Sequence, residues 1–223
     1  VEIGLHGYDH ELWGPTQWYL PDRPINVTEK EGLLRKSIEA FETSSLSRPV
    51  SFRAPNLVAD TSTIRLLLKW EFTADSSLAS HRGTYPIPEF VNGGPDMIRI
   101  PVSAEPWPSI SRIGRIWHYA YRVCNLKTLL GMNEDERRRY LKQVVAVQLA
   151  LGFQPSLVML FHSWEFLPPL TSASEYAYCS ALNWDFLRAL AHTLDDSLDI
   201  EFVTLRQLTS FLRDWNAKPK GID

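Results

Sequence analysis

Val1, Ile3 and Leu5 alternate with Glu2 and Gly4, and the alternation stops at His6. Period-two apolar spacing over so few residues predicts a short strand that ends in a histidine. Leu33, Leu34, Ile38 and Phe41 then recur at helical intervals, and Thr28 with Glu31 has capping-box spacing, which predicts a helix over about 29–43. Pro49-Val50-Ser51-Phe52 reads as a second strand ending at Arg53. Asp60 or Thr61 caps a helix through Ile64, Leu67, Leu68 and Trp70, and Glu71-Phe72-Thr73-Ala74 reads as a third strand ending at Asp75.

Residues 76–97 are rich in Gly, Pro and Ser and predict a long irregular stretch, followed by a fourth strand over 97–102. Ser111–Leu130 reads as helical. Asn133 and Glu136 supply a second capping box for a helix through Leu141, Val144, Val145 and Leu149, which Gly152 and Pro155 end. Leu157–Phe161 is a continuous apolar run, as expected of a strand covered on both faces, and it ends on His162. A helix near 182–194, a strand over 200–203 and a helix over 204–215 complete the order.

Strands alternating with helices predict an α/β fold with a parallel sheet, either doubly wound or closed as a barrel. At 223 residues, 44% of them hydrophobic, the chain can bury a substantial core, and one domain over 1–223 is expected. Lys plus Arg is 23 against 26 for Asp plus Glu, with no long basic run, so nucleic acid is not an expected partner. Arg137-Arg138-Arg139 follows three acidic residues and reads as the solvated face at a helix start. Cys124 and Cys179, the two cysteines, have no metal spacing and read as buried thiols. No apolar run approaches the roughly 20 residues that cross a bilayer, and the first residues do not read as a signal peptide; the compartment stays open.

Chemistry enters through position. His6, Arg53, Asp75 and His162 each follow the last apolar residue of a different predicted strand, and the carboxyl ends of strands form the functional face of α/β folds. His6 and His10 stand at i and i+4, a spacing that lets two imidazoles reach one metal ion. Trp13, Trp18, Tyr19 and Trp107 fall in predicted loops and Trp164 lies two residues after His162; such rings can stack on sugars or pack on the rim of the fold.

These residues carry a resemblance. Glu2-Ile3-Gly4-Leu5-His6-Gly7-Tyr8-Asp9-His10 is similar to the histidine motif of the polysaccharide deacetylases, the fourth carbohydrate esterase family with its NodB-homology domain. Phe52-Arg53-Ala54-Pro55-Asn56 resembles the family's arginine-proline motif, Asp75-Ser76-Ser77 its aspartate motif, and Leu160-Phe161-His162-Ser163-Trp164-Glu165-Phe166 its terminal histidine motif. The last two most resemble deacetylases associated with exopolysaccharide synthesis.

The resemblance implies a distorted (β/α), TIM-like barrel, incomplete at its N-terminus, and a metal-dependent hydrolase that removes an N- or O-acetyl group from a glycan or lipid-linked sugar. It implies zinc or another divalent ion on His6 and His10, and His162 as the general acid for the leaving amine. Asp75 would orient His162 and favour its charged form, and Arg53 would orient the base carboxylate. Apart from the resemblance, Trp164 could shape the acyl pocket or fill the core, and Trp13 could stack on a sugar or pack on the rim; both are candidate substrate contacts. The family begins with a strand bearing two adjacent aspartates, a base and a third metal ligand, and nothing upstream of Val1 supplies them; Asp9, Asp22 and Asp60 do not match that position. The chain is therefore expected to carry two metal ligands, an acid and no assigned base. A deformylase or cyclic-amide hydrolase on the same barrel, and a carbohydrate-binding protein without catalysis, are the competing expectations.

Overall fold

The computed structural model describes residues 2–15, 23–78, 87–93, 96–105, 109–113, 116–120, 122–169, 173 and 176–217. Trp18, Tyr19, Asp22 and Trp107 lie outside the described residues. The chain divides into two compact units, the first comprising Val1–Ala79, Pro86–Pro101 and Val203–Asp223, the second Ser80–Tyr85 and Val102–Phe202.

The first unit holds β1 (Ser51–Phe52), β2 (Ala74–Asp75), β3 (Glu89–Phe90) and β4 (Ile98–Arg99) in the order β1-β2-β4-β3. β1, β2 and β4 are parallel, β3 is antiparallel to β4, and Leu5 adds a parallel bridge to Phe52. The predicted strands 1–5, 49–52, 71–74 and 97–102 therefore meet in one parallel array, each with a shorter paired stretch than its apolar run. β3 arises inside 76–97, where the irregular composition concealed it. Residues 200–203, expected as a strand, have no strand pairing among the described residues.

Helix α1 (Val27–Thr43) starts before its apolar rhythm shows. Asn26, not Thr28, is its cap: the Asn26 side chain accepts from the Glu29 amide while Glu29 accepts from the Asn26 amide. α2 (Thr61–Lys69) starts on the Asp60 cap, as expected. Leu34 and Ile38 of α1 and Ile64 and Leu67 of α2 join Leu5, Trp13, Phe52 and Phe72 in the core. On the same face of α1, the side chain of Lys30 is 2% exposed and gives hydrogen bonds of 2.9 and 2.8 Å to the two Asp60 oxygens and 2.9 Å to Ser62 Oγ. A buried ammonium thus fastens α1 to the cap of α2. α6 (Leu205–Ala217) is capped by Thr204 and Gln207, and its Arg206 amide also donates to Glu2 at 2.8 Å.

The second unit departs further from expectation. Residues 111–130 are not one helix: β5 (Ser109–Ile113) and β6 (Ile116–Ala120) form an antiparallel hairpin, and α3 (Leu126–Leu130) follows on an Asn125 cap. Ile110, Ile113, Ile116, Trp117 and Tyr119 are β-branched or aromatic, residue types that favour strands, and the cross-strand pairing overrides the helical spacing. α4 (Glu134–Ala150) has the predicted Asn133–Glu136 box. Arg138 pairs with Glu134 at 3.1 Å on the exposed face, but Arg137 turns inward, donating to the carbonyls of Leu129 and Met132 and lying 5.0 Å from the Phe186 ring.

The run 157–161 lies between two irregular segments rather than in a regular ladder: Ser103 donates to the Val158 carbonyl, and Leu160 donates to Cys124 and bridges Asn125 in parallel. α5 (Asn183–Leu198) packs on α4 through Leu190 and Leu194. Cys124 and Cys179 are free and buried, as expected, and burial pushes the Cys124 thiol up to about 12. No helix among the described residues is long and apolar enough to cross a membrane.

The Lys30–Asp60 pair sets a stability prediction. Desolvation raises the Asp60 pKa, but bonds from Lys30, Ser62 and the Thr63 amide outweigh it and hold the carboxyl at about 2. Because the folded value is depressed, the pair's stabilisation is present above the unfolded carboxylate value and fades as pH falls toward 2. Asp60→Asn leaves a buried ammonium and is expected to cost about 2–3 kcal/mol at neutral pH, after discounting for the partial exposure of Asp60. Urea denaturation should find that deficit shrinking between about pH 4 and pH 2; a deficit constant with pH would refute the assignment.

Candidate functional site

In the first unit the strand ends carry the predicted residues. The Arg53 amide donates to the Leu5 carbonyl at 2.9 Å, and the His6 Nδ1–H donates to the Arg53 carbonyl at 2.7 Å. A carbonyl only accepts, so this bond fixes the Nδ1–H tautomer of neutral His6 and leaves the lone pair on Nε2. The segment from His6 to His10 is a bend rather than a helix, with Gly7 at φ +79° and His10 at φ +59°. A left-handed His10 costs about 1–2 kcal/mol, which the bonds within the bend must offset.

The bend brings the two imidazole rings to 5.5 Å between centroids, edge to face at 75°. Two imidazoles bound to one zinc through nitrogens about 2.0–2.1 Å away, at a tetrahedral angle, place their centroids roughly 5–5.5 Å apart. The pair therefore meets the spacing that a shared divalent ion requires, and the carbonyl on His6 Nδ1 is the outer support such a ligand usually has. Among the described residues no three His, Cys, Asp or Glu side chains converge as a ligand set, so neither Asp9 nor Glu11 completes the pair.

Beside this bend, Asp75 is fully buried at the end of β2. Burial pushes its pKa up, and the donors around it pull back: the Ser77 hydroxyl and the Ser77 amide (3.1 Å) on Oδ1, and Arg99 Nε at 3.0 Å on Oδ2. Asp75 and Arg99 are direct partners in the β2–β4 register, which makes this ion pair a consequence of strand alignment. Ser77 Oγ also accepts the buried Ala54 amide at 2.8 Å. Arg53 reaches the same turn, donating to the Ser76 carbonyl at 3.3 Å and to Ser76 Oγ at 2.8 Å. Burial lowers the pKa of its guanidinium from the ordinary value, and Asp75 opposes that shift.

Trp13 corrects one expectation. Its side chain is completely buried, set edge-on against Phe52 at 5.3 Å, with its indole N–H given to Glu11 at 3.2 Å. The ring is part of the unit's core and has no face to offer a sugar.

In the second unit, His162 is exposed and stacks on Trp164, with centroids 4.9 Å apart and planes at 21°. Trp164 is 39% exposed and meets Tyr176 edge-on at 5.5 Å. Beneath them Glu165 is buried: it accepts the His162 amide at 2.7 Å and the Tyr178 hydroxyl at 2.9 Å, and its Oε2 lies 3.7 Å from His162 Nδ1. Burial, with Glu165 alongside, raises the Tyr178 phenol above its ordinary value. Asn183, at the start of α5, donates to the carbonyls of Glu165 (2.7 Å) and Tyr178 (2.9 Å) and ties the two segments together.

No protein-family model matches the chain. Over 81 residues the chain is 39% identical to peptidoglycan deacetylase-like protein FGM2 of Gibberella zeae, a match covering 36% of this chain and 21% of that protein. A crystal structure assigned as a polysaccharide deacetylase of Mycobacterium smegmatis aligns with all of this chain and 66% of that one, at a TM-score of 0.54 and 18% identity. Both proteins that the chain resembles carry deacetylase names.

The structural likeness concerns the fold, and this chain spans less than two thirds of the length of either relative. The fold is mixed helix and sheet, and among the described residues the strands make one four-stranded sheet and one two-stranded hairpin. The residues that the sequence singles out fall as follows. His6, His10, Arg53 and Asp75 share the strand ends of the first unit, while His162 and Trp164 share the second. Sequence reasoning missed Glu11 and the support role of Glu165; a carboxylate that faces backbone amides within its own loop leaves no periodic signal. The signal available was the polar side chain beside each histidine motif.

The Ser77 hydroxyl serves two buried groups at once. Ser77→Ala is expected to cost about 1–3 kcal/mol in chemical denaturation, because the Ala54 amide and Asp75 both lose a partner. Ser76→Ala should cost less, since its carbonyl still receives Arg53. The reverse order would show that Ser77 does not hold the turn together.

Proposed function

We propose that the chain is a metal-dependent glycan deacetylase that hydrolyses an N- or O-acetyl group on a polysaccharide or lipid-linked sugar. The observation that carries the reading is the His6–His10 pair: two imidazoles at metal-sharing separation, one with its tautomer set by the Arg53 carbonyl, in a motif that resembles the family's. The names of the two relatives agree with it.

In this reading His6 and His10 hold zinc or a related divalent ion. The chemistry supplied at that pair by a bound ion is polarisation of the acyl carbonyl and acidification of water. His162 hands a proton to the departing amine, the step that makes nitrogen a competent leaving group. Asp75 is its orienting carboxylate by resemblance. Arg53, anchored on Ser76, would by resemblance orient a base carboxylate, a role assigned to no described residue. Trp164, already stacked on His162, presents a partly exposed ring to the acyl group or the sugar. An association with exopolysaccharide synthesis follows from the resemblance of the Asp75 and His162 motifs.

The test combines acetate release from an N-acetylated oligosaccharide with zinc content by elemental analysis. His6→Ala with His10→Ala should abolish zinc retention and turnover together. His162→Ala should retain zinc and lower kcat by about 100- to 10,000-fold. Asp75→Asn should lower kcat with zinc unchanged. Full acetate release from the double histidine variant would sink the proposal, and oligosaccharide binding without any turnover in the zinc-loaded parent would favour the carbohydrate-binding alternative.

A further inference from the structure

We infer that Glu11 is a positioning residue for the His6–His10 pair, a buckle that preorganises the bend for a divalent cation. The inference rests on reading that pair as metal ligands and extends it to a residue outside the motif.

Both oxygens of the Glu11 carboxylate are committed to N–H donors. Oε1 accepts the Asp9 amide at 2.8 Å, and Oε2 accepts the Tyr8 amide at 3.1 Å and the Trp13 indole at 3.2 Å. Tyr8 and Asp9 are the residues by which the chain travels from one imidazole to the other. Two successive amides converging on one carboxylate make an anion-binding concavity of the nest kind, which a negative charge stabilises. Glu11 supplies that anion from within the same loop.

Neighbouring geometry shows how tightly the buckle is seated. A Cβ placed on Gly7 would lie 3.0 Å from Glu11 Oε2, 3.1 Å from Trp13 Nε1 and 3.2 Å from Pro55 Cγ, and Gly7 has a left-handed φ. Only glycine leaves room for the carboxylate to approach the backbone. Trp13 in turn is immobile: its ring is buried against Phe52, and its carbonyl accepts the Thr63 hydroxyl at 2.6 Å from the first turn of α2. His10, directly before Glu11, carries the left-handed backbone that turns its ring toward His6. The two imidazoles are thus held separately, His6 from the Arg53 carbonyl and His10 through Glu11 and the core indole.

A role through the amides differs from ligation. With its oxygens on Tyr8, Asp9 and Trp13, and no three-residue ligand set among the described residues, Glu11 shapes the site without entering it.

The experiment measures zinc affinity by competition with a chromophoric chelator, and amide exchange at Tyr8 and Asp9, in the parent and in Glu11→Ala, Glu11→Gln and Trp13→Phe. Removal of an outer support typically weakens metal binding by about 10- to 100-fold, and that loss is expected for Glu11→Ala. Glu11→Gln keeps a carbonyl oxygen for one amide and should lose less. Trp13→Phe removes the indole donor together with part of the buried ring, so its zinc affinity is compared at matched folded fraction, and it should lie between Gln and the parent. Exchange at Tyr8 and Asp9 should accelerate in the same order. In a His10→Ala background Glu11→Ala should have no further effect on zinc, because its action passes through His10.

Parent-like zinc affinity and amide protection in Glu11→Ala would overturn this inference and leave the ligand pair standing. An equal zinc loss with and without His10 would overturn it in favour of a general folding role. Zinc affinity unchanged by loss of both histidines would overturn the pair and the buckle together.

Discussion

The first unit is organised around a charge that water does not reach. Asp75 is fully buried at the end of β2, and a buried carboxylate is tolerated only where donors replace its hydration. Those donors come from three groups: Arg99 from the neighbouring strand, and the hydroxyl and amide of Ser77 from the following turn. Satisfying Asp75 fixes the Asp75-Ser76-Ser77 turn, which accepts the Ala54 amide and holds the Arg53 guanidinium. Arg53 then sets the tautomer of His6 through its carbonyl. One unsolvated charge therefore propagates through a chain of short bonds to the histidine pair, and the strands need to pair over only two residues each because the turns carry the precision.

The second unit uses the same device with different parts. Glu165 is buried beneath an exposed histidine and is held by a tyrosine hydroxyl and by the amide of the residue it supports. A stacked Trp164 restrains the imidazole on one side. The second unit's histidine lies directly beside its carboxylate, whereas in the first unit His6 rests on the Arg53 carbonyl and is linked to Asp75 only through the Asp75-Ser76-Ser77 turn.

Helix placement follows from capping chemistry more than from apolar rhythm. Asn26, Asp60, Asn125 and Asn133 each receive an amide from the third residue beyond them. Two of those caps, Asp60 and Asn133, stand close enough before apolar spacing to be read from the sequence. The exception, 111–130, shows the limit of periodicity: Ile110, Ile113 and Ile116 also fit a helical interval, yet antiparallel register pairs Ile113 with Ile116 across the hairpin. Cross-strand pairing is a non-local interaction, and spacing along the chain does not report it.

What the sequence by itself determined is the order of the parallel strands and the helices in the first unit, though not β3, together with the caps of α2 and α4, the buried free thiols, and the placement of His6, Arg53, Asp75 and His162 after strand-like runs. These are local properties, set by side-chain period and by which residues satisfy an amide at a helix start. Tertiary structure alone decided that Trp13 is core rather than surface, that Lys30 lies inside against Asp60, that Arg137 turns toward carbonyls, and that Glu11 and Glu165 face amides. Each of these depends on which polar group is near enough to offset desolvation, and that is fixed by segments as much as 50 residues apart, as with Trp13 and Thr63.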